Sequence, residues 1–216
     1  MTIAKKKILL MGPPAAGKNT QAIKISSTYD LSHVSIGNIC RTHIENKSVL
    51  GVQIQQYLDQ DLLIPDVLVY QLIQEELKYM TSGFILDGFP RTLPQAEWLS
   101  QKYDEQQFEV DAFIYLDISD DEIKRRLSGR LSCVGCKATY HQFFPKLQPK
   151  VSMVCDLCED ALQIRSDNFE TRIQEFKSKT YPAIEHLDGS RVPLYKVSGL
   201  GEPDEIFERI QSILTI

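Results

Sequence analysis

The sequence predicts an α/β fold, a parallel sheet with helices on both faces. Three observations predict it. Ile8-Leu9-Leu10-Met11 is an unbroken apolar run that ends at Gly12-Pro13-Pro14, as expected of a central strand buried on both faces. Helical spacing then begins at Lys18, with Ala22, Ile23 and Ile25 apolar. Apolar runs at Gly83–Asp87 and Ala112–Leu116 each lead, through a turn, into another helical pattern.

Composition sets the outer bounds. At 216 residues, 43% hydrophobic and 25% charged, the chain reads as one ordinary domain with room for inserts. A net charge of −5 argues against broad nucleic-acid binding. No apolar run approaches the roughly 20 residues of a membrane span. Lys5-Lys6-Lys7 precedes an apolar run too short for a signal peptide, so the expectation is a cytoplasmic protein with no membrane partner.

The first strand and helix enclose a phosphate-binding loop. Gly12-x-x-x-x-Gly17-Lys18 has the spacing in which backbone N–H groups face an anion and a lysine reaches its outer phosphates. A lysine at a helix start opposes the helix dipole, which an ordinary strand-to-helix turn leaves unexplained. Ala15, Ala16, Gly17, Lys18, Asn19 and Thr20 are the candidate nucleotide contacts.

Taken in order, His33-Val34-Ser35 is a short strand, and helical spacing runs from Gly51 to Gln60 and from Pro65 to Met80. Gly83–Asp87 is a strand ending in an acid, followed by Gly88-Phe89-Pro90-Arg91, and ligands of parallel sheets bind beyond such strand ends. Asp120, Asp121 and Glu122 open a helix that carries Arg125 and Arg126 and ends around Gly129-Arg130. Arg126 and Arg130, four apart, are expected on one helix face. Cys133-x-x-Cys136 and Cys155-x-x-Cys158 have 18 residues between them and suit a closed, structural zinc site of four thiolates. A redox pair needs only one such motif at a helix start, and disulfides are disfavoured in a cytosolic chain. A helix over 167–188, a strand at Val192–Val197 and a helix from Pro203 to Leu214 complete the chain.

These motifs together resemble the adenylate kinase family of nucleoside monophosphate kinases, over nearly the whole length. The glycine loop, Ser35-Ile36-Gly37-Asn38 with Arg41, and Asp87-Gly88-Phe89-Pro90-Arg91-Thr92 with Gln95 carry the resemblance. So does the four-cysteine insert with Ala138-Thr139-Tyr140-His141, which is similar to the zinc-bearing lid of the family's long form. The chain departs from the family pattern at Ala15, Asn19, Ile36 and Asn38.

The resemblance implies a five-stranded parallel sheet forming the core (1–34, 65–129, 166–216), an acceptor-binding insert at 35–64 and a lid at 130–165. It implies transfer of the terminal phosphoryl of ATP to AMP, giving two ADP, by a monomer that binds no nucleic acid. ATP would contact the glycine loop, Arg130, Thr139 and Tyr140. AMP would contact Ile36, Arg41, Leu62, Leu63, Ile64, Gly88, Phe89, Pro90, Arg91, Gln95, Arg165 and Arg172. Lys18, Arg91, Arg126, Arg130, Arg165 and Arg172 would form the catalytic set, with Asp87 holding Mg²⁺ through water. Arg172 stands seven residues after Arg165, closer than the family's usual spacing.

Two other readings fit the residues. Ile36 in place of a hydroxyl residue is compatible with a different nucleoside monophosphate as acceptor. The paired cysteines are compatible with a non-catalytic zinc-knuckle module that binds nucleotides or nucleic acid. Taken singly, Arg41, Arg126 and Arg130 also suit a solvated helix face, and Gln95 suits a helix surface.

Overall fold

Strand β1 (Lys7–Met11) lies at the centre of the sheet, because a run with no polar face is stable only where both faces are covered. The computed structural model describes residues 6–60, 64–78, 80, 83–136, 138–164 and 169–215, excluding the side chains of Phe169 and Arg172. Leu62, Leu63 and Arg165 therefore lie outside the described residues, as does the Arg172 side chain.

Among the described residues the main sheet has five strands, all parallel, in the order β2–β3–β1–β4–β8. The flanking strands are β2 (Ser32–Ser35), β3 (Phe84–Asp87), β4 (Ala112–Asp117) and β8 (Leu194–Ser198). Alternation along β1 divides the core into two layers. Leu9 and Met11 pack with Leu86, Phe113 and Tyr115 beneath α2 (Ile36–Glu45), α3 (Val49–Leu58), α4 (Asp66–Leu77), α5 (Leu93–Asp104) and α8 (Tyr181–Asp188). Ile8 and Leu10 pack with Ile85, Ile114 and Leu116 against α1 (Lys18–Tyr29), α6 (Asp120–Ser128) and α9 (Pro203–Leu214). The chain leaves β1 towards the β2 edge and later crosses to β4, so a crevice opens at the carboxyl end of β1.

Helices α2 and α3 form the first excursion from the sheet. Ser48 caps α3 by accepting the Gly51 N–H at 3.0 Å. A Cβ on Gly51 would sit 2.0 Å from the His43 carbonyl oxygen, so only glycine lets the two helices approach this closely.

The second excursion is an antiparallel sheet of β5 (Arg130–Cys133), β6 (Thr139–His141) and β7 (Leu162–Ile164), in the order β6–β5–β7. Its buried apolar group is Leu131, Cys133, Tyr140, Cys155 and Leu162, too small a core to hold a fold alone.

Two helical expectations are corrected. Helix α6 ends at Ser128, and Arg130 opens β5, so Arg126 and Arg130 do not share a helix face. Gly129, buried against the rings of His141 and Phe143, ends the helix, and a Cβ there would meet them at 2.6–2.7 Å. The continuous helix expected over 167–188 is α7 (Phe169–Glu175), a π-helical stretch (Phe176–Thr180) and then α8. Pro182 has no N–H to donate and its ring crowds the carbonyl one turn back, so the helix widens, and Tyr181 N–H bonds Phe176 O.

Candidate active site

The loop after β1 turns back on itself through Gly12, whose added Cβ would lie 2.7 Å from the Leu116 carbonyl oxygen. Ala15 takes the left-handed conformation at φ 60°. That conformation costs a residue with a Cβ about 1–2 kcal/mol, so the loop keeps its shape here at the expense of strain. Lys18 opens α1 and lays its ammonium across the loop, donating to Gly12 O and Pro13 O at 2.8 Å each.

A cavity of about 320 Å³ lies over this loop. Ala15, Gly17, Lys18, Asn19 and Thr20 line it from below, and Arg126, Arg130, Thr139 and Tyr140 from the side of the second excursion. Ala16 does not; it is fully buried beneath the loop, with its N–H on Pro13 O at 3.2 Å. Asp87, at the carboxyl end of β3, also lines the cavity, with His33 Nε2 3.7 Å from its carboxylate. Lys18, Arg126, Arg130 and Lys146 give the walls an excess of positive charge over Asp87 and Glu202, which suits a polyphosphate.

Arg126 is held by three partners. Its Nε donates to Glu122 at 2.6 Å, Nη1 to Ala15 O at 3.3 Å and Nη2 to Gly199 O at 2.8 Å. Hydrogen bonds from Arg125 and, more weakly, Arg126 keep the Glu122 carboxyl below its ordinary value despite burial.

A second group of candidates gathers just beyond Asp87. Gly88, Phe89 and Pro90 are buried, and the Phe89–Pro90 peptide is cis. Arg91 Nε donates to Gly88 O at 3.0 Å. Gln95 is 4% exposed and both ends of its amide are engaged: Oε1 accepts Arg91 N–H at 2.7 Å and Nε2 donates to Asp66 at 2.6 Å. The carbonyl of Arg91 accepts from Thr180 Oγ1 at 2.9 Å, from the π-helical stretch. Arg41 is exposed on α2 and donates to Asn38. Burial raises the Cys40 thiol, and the nearby positive charges of Arg91 and Arg41 oppose that rise. Ile36, the first residue of α2, is buried in the core, and Ile64 is half-buried against the same core.

The sulfurs of Cys133, Cys136, Cys155 and Cys158 lie within 4.8 Å of one another. The Cys133–Cys158 and Cys136–Cys155 sulfurs are 3.4 Å and 3.5 Å apart. Metal–sulfur bonds of about 2.3 Å in a tetrahedron require sulfurs about 3.8 Å apart, so this donor set fits one ion. His141 stands apart from the cluster, with Nε2 on Arg126 O at 2.9 Å and Nδ1 accepting Phe143 N–H at 3.0 Å.

Comparison with protein families matches residues 10–191 to the adenylate kinase family. An adenylate kinase of Lachnospira eligens is 41% identical over 215 residues, covering 96% of this chain and 99% of its own. Those of Clostridium tetani and Methanothrix thermoacetophila are 39% and 36% identical, each over 96% of this chain and at least 97% of their own. The chain belongs to the adenylate kinase family. It is a long-form adenylate kinase, with the four-cysteine cluster in its lid, and it is an enzyme rather than a bare binding module. Among the described residues no helix is long and apolar enough to cross a membrane.

Several residues of this adenylate kinase site were not expected from the sequence. Gln21, Phe144, Lys146, Pro203 and Ile206 line the cavity, and Lys146 reaches Glu202 across it at 3.6 Å. Gln21 donates to Pro203 O at 2.9 Å. Glu122 and Asp66 orient arginine and glutamine partners. The Glu122–Arg126 spacing of one helical turn was a usable signal, whereas the pairings that join distant parts of the chain left none.

Proposed function

We propose that this adenylate kinase binds ATP in the cavity over the glycine loop and AMP beside Arg41 and Arg91, and that it serves adenine nucleotide balance as a cytoplasmic monomer. The reading is carried by one adjacency: Asp87 faces the cavity while Gly88–Arg91, the next residues in the chain, lead to the acceptor side. A terminal phosphoryl group held by Lys18 and the arginines would therefore lie next to the acceptor phosphate.

No side chain needs to act as nucleophile. A phosphate oxygen of AMP attacks the terminal phosphorus of ATP in line, and ADP leaves. Lys18, Arg126 and Arg130 neutralise the donor phosphates, and Arg41 and Arg91 hold the acceptor, guanidinium forks matching phosphate oxygens. Arg165 and Arg172 complete the clamp in this proposal. Gly88, Phe89 and Pro90 shape the turn, and Ile36, Leu62, Leu63 and Ile64 pack on the acceptor's base and sugar. Gln95 acts there through the Arg91 backbone that it holds. Thr139 and Tyr140 close over ATP, and the lid (130–165) keeps water from competing with AMP. The acceptor-binding insert spans 35–64, and the core comprises 1–34, 65–129 and 166–216.

Two metals belong to the proposal. A single carboxylate at a strand end suits Mg²⁺, which keeps most of its water, so Asp87 would hold it through water beside the ATP phosphates. When bound, Mg²⁺ supplies charge neutralisation across the phosphates. Cys133, Cys136, Cys155 and Cys158 would hold a structural Zn²⁺.

The test is ADP formation from ATP and AMP in the presence of Mg²⁺. Two ADP per AMP consumed are expected, with Lys18→Ala lowering turnover by about 10²-fold or more. No AMP-dependent ADP formation would overturn the reading.

A further inference from the structure

Tyr140 belongs to two sites at once. It lines the nucleotide cavity between Thr139 and His141 on β6. It is also packed into the small core of the lid, 8% exposed, beside Leu131, Cys133 and Cys155. Its hydroxyl engages the cysteine cluster. The phenol oxygen accepts Asp156 N–H at 2.8 Å and lies 3.5 Å from Cys155 Sγ. Since the oxygen is already accepting, its own proton is available to the sulfur. Cys155 Sγ also accepts Leu157 N–H at 3.4 Å, so the sulfur has two donors around it.

Donors of this kind stabilise a metal-bound thiolate and fix its direction. Pairing with Leu131 on β5 holds the Tyr140 backbone, and because the lid core is small the phenol end leans on the cluster. We propose that Tyr140 is the positioning residue that couples the four-cysteine metal site to the ATP cavity. Its hydroxyl holds Cys155 in place for the metal, and the metal in turn holds Tyr140 as cavity wall. The proposal rests on the reading of the cluster as a zinc site and of the cavity as the ATP site.

Tyr140→Phe keeps the ring and removes the hydroxyl, so it tests the link directly. Zinc affinity, measured by competition with a chromophoric chelator on the full chain, falls about tenfold or more. Binding of a non-hydrolysable ATP analogue, measured by calorimetry, weakens about fivefold or more when zinc is stripped from the wild-type protein. In Tyr140→Phe the same stripping has a smaller effect, because the coupling bond is already gone. Equal zinc affinity in the two proteins, or the same ATP loss on stripping both, overturns the proposal. A wild-type protein that holds no zinc overturns the metal reading itself, and is told apart by metal analysis before any variant is made.

Discussion

Glu122 Oε1 accepts the Nε–H of Arg126 at 2.6 Å, and both side chains are nearly covered, at 13% and 12% exposed. The contact leaves the other two guanidinium nitrogens for Ala15 O and Gly199 O, so the arginine spans the glycine loop and the segment after β8. Glu122→Gln keeps an acceptor but loses the charge. It raises KM for ATP roughly threefold to tenfold, about the difference between a charged and a neutral hydrogen bond. The Glu122 carboxyl is held below its ordinary 4.5 by Arg125 first and Arg126 after it, so its stabilisation is present above that value and lost as pH falls through the lower folded value. Acid unfolding of Glu122→Gln lacks this contribution. An unchanged KM together with an unchanged acid limb counts against the role.

His141 gives a second pH response. Its Nδ1 accepts Phe143 N–H and its Nε2 donates to Arg126 O, an arrangement only the neutral ring satisfies. Burial lowers its pKa from the ordinary 6.5; Arg125, Arg126 and Arg130 add to the lowering, and the bond to Arg126 O opposes it. The native state therefore binds fewer protons than the unfolded one, and stability is lost as pH falls from about 6.5 towards the folded value. Hydrogen exchange of the β6 amides, corrected for intrinsic rates, is expected to quicken on going from pH 7.5 to 5.5, with β1 unaffected. Uniform protection across that interval would contradict it.

Metal removal is expected to unfold the lid and leave the main sheet folded. The four sulfurs all lie in one excursion, and the main sheet has its own two-layer core. Chelation lowers the melting temperature and exposes the β5–β7 amides to exchange while β1, β3 and β4 stay protected. Metal-free protein with four free thiols, purified without chelator, would refute the zinc assignment.

Arg172 stands on α7, one residue before the buried Ile173. In the clamp role, Arg172→Ala lowers kcat by about a hundredfold or more with a near-normal melting temperature. A surface arginine would cost within about 0.5 kcal/mol of stability and leave the rate alone. A kcat within about threefold of wild type removes Arg172 from the site.

What was legible in the sequence was local. The strand, glycine loop and helix around Lys18 are consecutive, and each Cys-x-x-Cys turn is complete in itself, so spacing alone read both. The count of five strands rested on family likeness, and the strand order was not legible, because neighbours such as β1 and β4 are about a hundred residues apart. Gly129 marked the end of α6 in the sequence, but Arg130 was still counted on its face, because the pairing that turns it into β5 joins residues distant in the chain. Asp66 and Gln95, 29 residues apart, meet only after folding, which is why the glutamine read as a free amide.

ATP and AMP are the proposed substrates, and Ile36, an apolar residue buried where a hydroxyl was expected, is the feature that most challenges AMP as acceptor. The direct measurement is kcat/KM with AMP, CMP, UMP and GMP as acceptors at fixed ATP and Mg²⁺. AMP is expected ahead of each of the others by about a hundredfold, the scale on which an apolar pocket discriminates by shape. Comparable values across the four, or a different nucleotide in the lead, would contradict it.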